Sequence, residues 1–212
     1  FSQPSPGLIL SPLASVPKRE ANEIRLIHDL SFPKGASVNE FIPREFCYVQ
    51  YELIDHCLFI ISEIGPGCQV SKADIKNAFR ILPLHPECYK LFGFQWMEKY
   101  FFDKCVVMGC SSSCQIFEKL STALQWIACN KLGVQHMSHI LDDFMFFGKP
   151  DTNDCSKALK SFIHMSESLG IEIKKEKTVL PSTKVELHGL LVDTVKMQVS
   201  LPDDKLCKTK QK

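Results

Sequence analysis

The chain has 212 residues, of which 45% are hydrophobic and 23% are charged, and its formal net charge at pH 7 is +1. This length suggests one domain or one and a half, with enough apolar residues for a proper core. A net charge this small excludes a surface that is basic all over, so nucleic-acid binding would have to use a local groove. No apolar run approaches the roughly 18 residues of a membrane-spanning helix.

The ten cysteines do not form a recognisable metal or disulfide pattern. No two of them have Cys-x-x-Cys spacing, and no cluster of Cys and His has zinc-finger spacing. A secretory hydrophobic segment is also missing, so we expect reduced, mostly buried thiols in an intracellular protein of the cytoplasm or nucleus. The start at Phe1 and the lysine-rich end favour a fragment of a longer polypeptide.

The N-terminal part predicts an extended lead-in over residues 1–15 and then a hairpin. Its second strand spans residues 24–30, which alternate imperfectly between apolar and polar. Three cations lie near the predicted tip: Lys18, Arg19 and Arg25. They suit a triphosphate, because Arg binds phosphate oxygens bidentately; a solvated basic hairpin is the alternative.

A helix over residues 51–64 and a strand over residues 68–74 are predicted next. The apolar residues of the helix recur at helical spacing, and Gly65 follows them as a stop signal: Leu53, Cys57, Ile60, Ile61 and Ile64. The strand ends in Asp74, just before a short helical turn over residues 75–82. A carboxylate in this position is typical of catalytic chemistry, and a helix N-cap is the competing explanation.

The middle of the chain predicts a hairpin and a long helix. Residues 90–96 and 100–107 alternate well enough to pair around a turn at residues 97–99. A loop of small residues at 109–113 then opens a helix that runs to about Cys129. Its predicted buried stripe consists of Ile116, Leu120, Ala123, Leu124 and Ile127.

Residues 139–148 place Asp142 and Asp143 between two apolar runs. The runs predict strands, so the acidic pair would occupy the turn of a hairpin. Two like charges this close resist ionisation, and a divalent cation removes that penalty. The pair is therefore either a solvated turn or half of a metal site.

The last third predicts one more helix and a closing hairpin. The helix runs from about residue 153 to 169, with Gly170 as the residue that follows it. Its predicted stripe is Leu159, Phe162, Ile163 and Ser166. The hairpin would pair residues 184–192 with 196–201. This mixture of helices and hairpins predicts an α+β fold with an antiparallel sheet.

Three carboxylates would converge if the strand ending at Asp74 and the acidic hairpin are neighbours in one sheet. Asp74, Asp142 and Asp143 would then offer the hard oxygen ligands that Mg²⁺ prefers. Two such ions about 4 Å apart can activate a hydroxyl and stabilise a leaving pyrophosphate. Phosphoryl transfer is then mostly a matter of positioning and electrostatics.

Six segments, in this order, resemble the motifs of reverse transcriptases, and the resemblance spans roughly residues 16–201. They are the fingers strand at 25–30 (RLIHDL), motif A at 74–79 (DIKNAF), motif B at 107–111 (VMGCS), motif C at 140–143 (ILDD), motif D at 169–178 and motif E at 187–189 (LHG). The sequence at 73–80, 91–96 and 108–111 is most similar to DIRS-type retrotransposons, which carry a tyrosine recombinase.

The resemblance implies a role for each matching residue. Asp74, Asp142 and Asp143 would be the catalytic acids and, with the backbone carbonyl of Ile75, would bind two Mg²⁺ ions, Mn²⁺ being an alternative. The implied nucleotide-binding residues are Lys18, Arg25, Phe79, Met108, Gly109 and Lys177. The implied primer grip consists of Leu187, His188 and Gly189.

Within this resemblance, two roles have a plainer competitor. Phe79 would be a steric gate against the ribose 2′-hydroxyl, whereas an ordinary core aromatic is the alternative. Lys177 would be a proton donor near the pyrophosphate, whereas a solvated lysine is the alternative. At Gly109 the lack of a side chain lets the backbone approach a ligand closely.

Four positions depart from the family pattern without removing a metal ligand: Val107, Met108, Ile140 and His188. Ile140 replaces the aromatic residue of the Tyr-x-Asp-Asp box, and His188 replaces the usual leucine of motif E. These departures bear on fidelity and processivity rather than on the type of reaction.

The resemblance implies the fingers and palm of a right-hand polymerase, with an antiparallel palm sheet flanked by helices. The fingers would span about residues 16–73 and 83–107, and the palm about 74–82 and 108–201. A lysine-rich tail would follow at 202–212, with the thumb missing or truncated.

The implied activity is that of an RNA-directed DNA polymerase in retrotransposon replication. It would add deoxynucleotides to a primer 3′-hydroxyl on an RNA or DNA template. Its partners would therefore be primer–template and dNTPs, and no membrane association is expected. The parent polypeptide would also carry ribonuclease H. Two alternatives stay open: an inactive remnant, with or without nucleic-acid binding, and an unrelated Mg²⁺-dependent phosphohydrolase.

Overall fold

A computed structural model describes residues 3–17 and 24–202 of the chain. In this part the helices are α1 (Ile54–Ile64), α2 (Ser113–Lys131) and α3 (Asp154–Ser168). The strands are β1 (Leu13–Pro17), β2 (Ile24–His28), β3 (Gln69–Asp74), β4 (Gly93–Trp96), β5 (Lys99–Phe102), β6 (Met137–Ile140), β7 (Asp143–Gly148), β8 (Val179–Ser182), β9 (Lys184–Leu187), β10 (Leu190–Asp193) and β11 (Gln198–Ser200). All pairs between these strands are antiparallel, as predicted.

The chain divides into two compact units. The first consists of residues up to Val49 together with Asn77–Lys119, and the second of Gln50–Lys76 together with the residues from Leu120 onward. Each unit contains its own sheets and its own apolar core. The predicted cations Lys18 and Arg19, and the tail from residue 203, lie outside the described residues.

The first unit contains two hairpins, β1–β2 and β4–β5. Its core is formed by Leu30, Val38, Phe92 and Val107. The predicted hairpin at 90–107 is shorter than expected, since strand pairing covers only 93–102. Residues before it form a 3-10 helix instead, and this helix begins at Pro86, whose ring fixes φ at a value suited to a helical first turn.

The second unit is built on a four-stranded sheet in the order β6-β7-β3-β8. Five of the six residues of β7 are buried, because both faces of the strand are covered. On one face Met145 and Phe147 join a core with residues of α1. On the other face Phe144 and Phe146 contact Phe162 of α3, with ring centroids 4.5 and 5.1 Å apart. Burial on both faces explains why this strand is continuously apolar in sequence.

The C-terminal strands differ from the predicted single hairpin. Residues 184–200 form a three-stranded sheet, β9-β10-β11, because the chain already turns at His188 and Gly189, both of which have positive φ. Strand β8 was not predicted. It contains Pro181 and lies at the edge of the four-stranded sheet, where a missing N–H can be tolerated.

The predicted helix stripes are correct in part for α3 and for α2, where Leu124 is buried as predicted. On α2 the fully buried residues are Phe117, Ser121, Leu124 and Ala128, whereas Ile116 is 41% exposed and Ala123 is exposed. On α2 the other predicted residues lie one position before the buried ones, because hydrophobicity alone did not indicate that Ser121 is buried. On α1 the helix begins at Ile54, and Leu53 precedes it with 64% of its surface exposed.

Candidate active site

Strands β3 and β7 bring the two predicted acidic segments together within the second unit. In the register of this pair Asp74 lies opposite Asp143. Asp142 lies in the turn between β6 and β7, and its carbonyl accepts a hydrogen bond of 2.9 Å from the backbone N–H of Ile75. The sheet therefore places three carboxylates on neighbouring backbone positions, as expected if the two segments were adjacent.

The turn that carries Asp142 is held from α2. Leu141 adopts a φ of +51°, a conformation that is uncommon for a residue other than glycine. Its carbonyl accepts a hydrogen bond of 2.7 Å from the hydroxyl of Ser121, which is fully buried. The buried serine therefore supports the turn on which the candidate acid lies.

A second support reaches strand β6 from the segment before α1. One carboxylate oxygen of Glu52 accepts hydrogen bonds from the Ser138 hydroxyl at 2.6 Å and from the His139 N–H at 3.3 Å. Its other oxygen accepts from the side-chain amide of Gln125 on α2 at 3.3 Å. The Gln125 side chain also contacts the His139 ring. Glu52 thus links α2 to the strand that leads into the acidic turn.

Burial and mutual repulsion make the acidic pair reluctant to carry charge. The pKa of Asp142 is raised, mainly by burial and next by the neighbouring charge of Asp74. Burial also raises the pKa of Asp143, although the ammonium of Lys72 opposes this shift. Carboxylates in such surroundings are stabilised in their charged form by a nearby cation.

In this structure two lysines supply positive charge to the acids. The Nζ of Lys72 lies 2.7 Å from Oδ2 of Asp143, and the Nζ of Lys177 lies 3.1 Å from Oδ2 of Asp74. Among residues 3–17 and 24–202, no three His, Cys, Asp or Glu side chains are arranged as a metal site. The oxygen donors nevertheless fit a hard divalent cation, which would relieve the repulsion that Asp74 exerts on the charged form of Asp142.

The predicted primer-grip residues form the turn between β9 and β10 in the same unit. Leu187 is completely buried, and His188 and Gly189 have φ values of +47° and +81°. Burial lowers the pKa of His188, and the charge of Asp143 acts in the opposite direction. Its Nε2 is buried and makes no hydrogen bond within the described part of the chain. This turn therefore lies in the electrostatic environment of the acids.

The other predicted nucleotide-binding residues that the structure describes belong to the first unit. Phe79 packs edge-to-face against Phe117, with ring centroids 5.3 Å apart. Arg25 lies on β2, opposite Val16 of β1, and is exposed. Lys18 is not among the described residues.

The loop at Met108 and Gly109 packs closely against β2. The Met108 carbonyl accepts a hydrogen bond of 3.0 Å from the N–H of His28, and Gly109 has a φ of +116°. The side chain of Asn39 bridges the loop: its amide donates to the Gly109 carbonyl at 2.8 Å, and its oxygen accepts from the Ser111 N–H at 2.9 Å. Asn39 therefore fixes the backbone on both sides of residue 110.

Among the residues of these networks that were not found from the sequence are Asn39, Glu52, Lys72 and Ser121. A signal existed only for Lys72. It precedes Asp74 by two positions on a strand, and side chains two apart on a strand share a face. The partners of the other three are distant in the sequence, so no local pattern identifies them.

No helix in the described ranges combines the length and the apolar character needed to cross a membrane.

Comparison with solved structures shows similarity to foamy viral protease–reverse transcriptases. One in complex with double-stranded DNA has a TM-score of 0.75 at 19% identity, and the match covers 96% of this chain and 32% of that chain. Another in complex with an RNA/DNA hybrid has a TM-score of 0.75 at 18% identity, over 99% and 25% of the two chains. The chain therefore has the fold of part of a reverse transcriptase, and it spans about a third or less of these two proteins.

The family model described as reverse transcriptase (RNA-dependent DNA polymerase) matches residues 16–192. The chain therefore belongs to the reverse transcriptase family. No curated protein matches it.

Proposed function

We propose that this chain forms the fingers and palm of an RNA-directed DNA polymerase, which adds deoxynucleotides to a primer 3′-hydroxyl on an RNA or DNA template. The observation that supports it most is the register of β3 and β7, in which Asp74 lies opposite Asp143 and Asp142 occupies the adjoining turn. Membership of the reverse transcriptase family agrees with this chemistry.

Three side chains would hold the divalent ions: Asp74, Asp142 and Asp143, with the carbonyl of Ile75 as a further ligand. When bound, two Mg²⁺ ions would activate the primer hydroxyl and stabilise the charge of the leaving pyrophosphate, and Mn²⁺ is an alternative. Asp142 is half-buried, so this ligand is partly shielded from water. Lys177 lies beside Asp74, where it can neutralise charge and donate a proton on the pyrophosphate side.

The remaining contacts would divide between the nucleotide and the primer. Arg25 and Lys18 would bind the triphosphate, Phe79 would exclude the ribose 2′-hydroxyl, and Met108 and Gly109 would lie beside the nascent base pair. The turn at 187–189 would hold the primer end. Fingers at about 16–73 and 83–107, and a palm at about 74–82 and 108–201, are the division that we propose.

We further propose that the element is a DIRS-type retrotransposon, on the basis of the sequence at 73–80, 91–96 and 108–111. The polymerase would then act inside the cell, in the cytoplasm or the nucleus, as part of a polypeptide that also carries ribonuclease H. Two foamy viral relatives in the comparison are complexes with double-stranded DNA and with an RNA/DNA hybrid. A primer–template duplex and dNTPs are the partners that this supports.

Primer extension on poly(rA)/oligo(dT) tests the proposal, with this chain and with a longer form that continues past Lys212. Replacing Asp142 by Asn should abolish Mg²⁺-dependent extension, because the amide cannot supply the ligand charge. The matched control is Asp151→Asn, since Asp151 is an exposed turn residue with φ +56°, a conformation that Asn tolerates. Extension that survives in the Asp142 variant would refute the metal-site assignment. Binding of the duplex without extension by the unaltered protein would favour a non-catalytic remnant.

A further inference from the structure

Lys72 connects three strands of the second unit through one ammonium group. It lies on β3, two positions before Asp74, and only 17% of its side chain is exposed. Its Nζ is 2.7 Å from the Oδ2 of Asp143, the first residue of β7. The same Nζ donates to the carbonyl of Glu186 on β9 at 3.4 Å. The sequence motifs that identify the three acids assign no role to Lys72.

Lys72 lies where its positive charge can compensate the negative charges of Asp74 and Asp143. Side chains at 72 and 74 share one face of β3, and Asp143 lies directly opposite Asp74. Two carboxylates directly opposite each other repel. Lys72 occupies the diagonal position relative to Asp143, within reach of a long side chain. A short contact between an ammonium and a carboxylate is a strong, charge-assisted hydrogen bond.

The second lysine of the site differs in its surroundings. Lys177 contacts Asp74, but 47% of its side chain is exposed, so water and salt screen that ion pair. The Lys72 pair is less exposed and is therefore screened less. Lys72 also contacts the β9 backbone, which leads to the turn at His188 and Gly189.

We propose that Lys72 is a positioning residue: its ammonium takes the place of a cation beside Asp143 when no metal is bound, and it ties the β9–β10 hairpin to the acid-bearing sheet. The competition with metal rests on the proposed function, whereas the link to β9 does not. Bound metal and Lys72 then share one carboxylate, so the lysine lowers the affinity of the site for a divalent ion. A sheet with all three acids thereby stays folded without metal.

The first test measures the ion pair without any metal. In EDTA, urea unfolding compares the unaltered chain with Lys72→Met, Asp143→Asn and the double variant. We expect Lys72→Met to lower the folding equilibrium constant at least tenfold, and the second substitution to restore most of that loss, since it removes the charge left without a partner. Additive effects in this cycle would overturn the proposal. Lys72→Gln serves the same comparison if the methionine variant does not fold.

The second test measures metal affinity by titration with Mn²⁺, followed by electron paramagnetic resonance. Lys72→Met should bind Mn²⁺ about tenfold more tightly than the unaltered chain, and Lys72→Arg should restore its affinity. The matched control is Lys76→Met, because Lys76 is 44% exposed and pairs with Glu172 instead; its affinity should not change. A merely structural lysine would alter stability but leave Mn²⁺ affinity within twofold, and that result would overturn the competition.

The two tests separate this proposal from the proposed function. If the unaltered chain shows no Mn²⁺ binding that depends on Asp142, the metal site and the competition are both refuted. Coupling between Lys72 and Asp143 in EDTA would still support the ion pair that joins β3 to β7. If Mn²⁺ binds and depends on Asp142 but no coupling is found, the role of Lys72 alone is refuted.

Discussion

Replacing Gly109 by Ala should be among the most damaging single changes in the first unit. A Cβ built on Gly109 would lie 1.8 Å from the carbonyl oxygen of His28 and 2.9 Å from its carbonyl carbon. Because the obstacle is the backbone of β2 and not a flexible side chain, no rotamer change relieves it. The loop at 108–109 would have to move away from the strand.

The expected loss of stability is the sum of the backbone strain at residue 109 and the hydrogen bonds that the movement breaks. A residue with a side chain at a φ of +116° costs about 1–3 kcal/mol in backbone strain. The hydrogen bond from His28 to Met108 and the one from Asn39 to Gly109 are each worth about 0.5–1.5 kcal/mol. The expected total is about 2–6 kcal/mol, a large part of the stability of a typical domain.

Urea unfolding measures this loss, and Gly133→Ala is the matched control. Gly133 also has a positive φ, of +71°, but a Cβ there would meet no atom within 4 Å. The control should therefore show only the local cost of the left-handed backbone, about 1–2 kcal/mol. Equal losses in the two variants would refute the argument that the close approach to His28 demands glycine.

Three further changes test other contacts. Ser121→Ala should cost about 1–3 kcal/mol in urea unfolding, because it removes the hydrogen bond from a fully buried hydroxyl to the Leu141 carbonyl; an unchanged midpoint would contradict this. Burial raises the pKa of Asp103, but the nearby His28 ring and the hydrogen bond and charge of Arg80 outweigh it, and the net shift is downward. The stability from Asp103 is thus complete above its ordinary pKa of 3.8 and is lost as the pH falls through the lower folded value. Asp103→Asn should therefore destabilise the chain more at pH 7 than at pH 2, and an equal penalty at both would count against it. Phe79→Val should relax discrimination against ribonucleotides in primer extension, and unchanged discrimination would exclude the steric gate.

Local patterns predicted the elements of this fold better than the way in which they pair. Strand β7 was evident from its continuous apolar run, and α1 from its helical spacing and Gly65. The stripe of α2 was misplaced because hydrophobicity favours Ile116, whereas the buried hydroxyl of Ser121 is satisfied by a carbonyl 20 residues away. Strand β8 was missed because a proline weakens its signal.

The acids of the candidate site could be proposed from the sequence, but their supports could not. Asp74 and the pair at 142–143 lie at the ends of predicted apolar strands, where carboxylates are readily recognised as candidate ligands. Asn39, by contrast, acts on Gly109 and Ser111 at separations of 70 and 72 residues. Such partners follow from tertiary structure, which neither periodicity nor spacing encodes.

The order of the four-stranded sheet also has a consequence during protein synthesis. The central strand β3 pairs on one side with β7 and on the other with β8, and Lys177 follows its partner Asp74 by 103 positions. At a translation rate of roughly 5–20 residues per second, β3 leaves the ribosome about 5–20 s before that partner. Until β8 has been made, at least one edge of β3 lacks its partner strand and is open to wrong pairing. The strand that carries Asp74 therefore completes its pairing only after most of the chain has been synthesised.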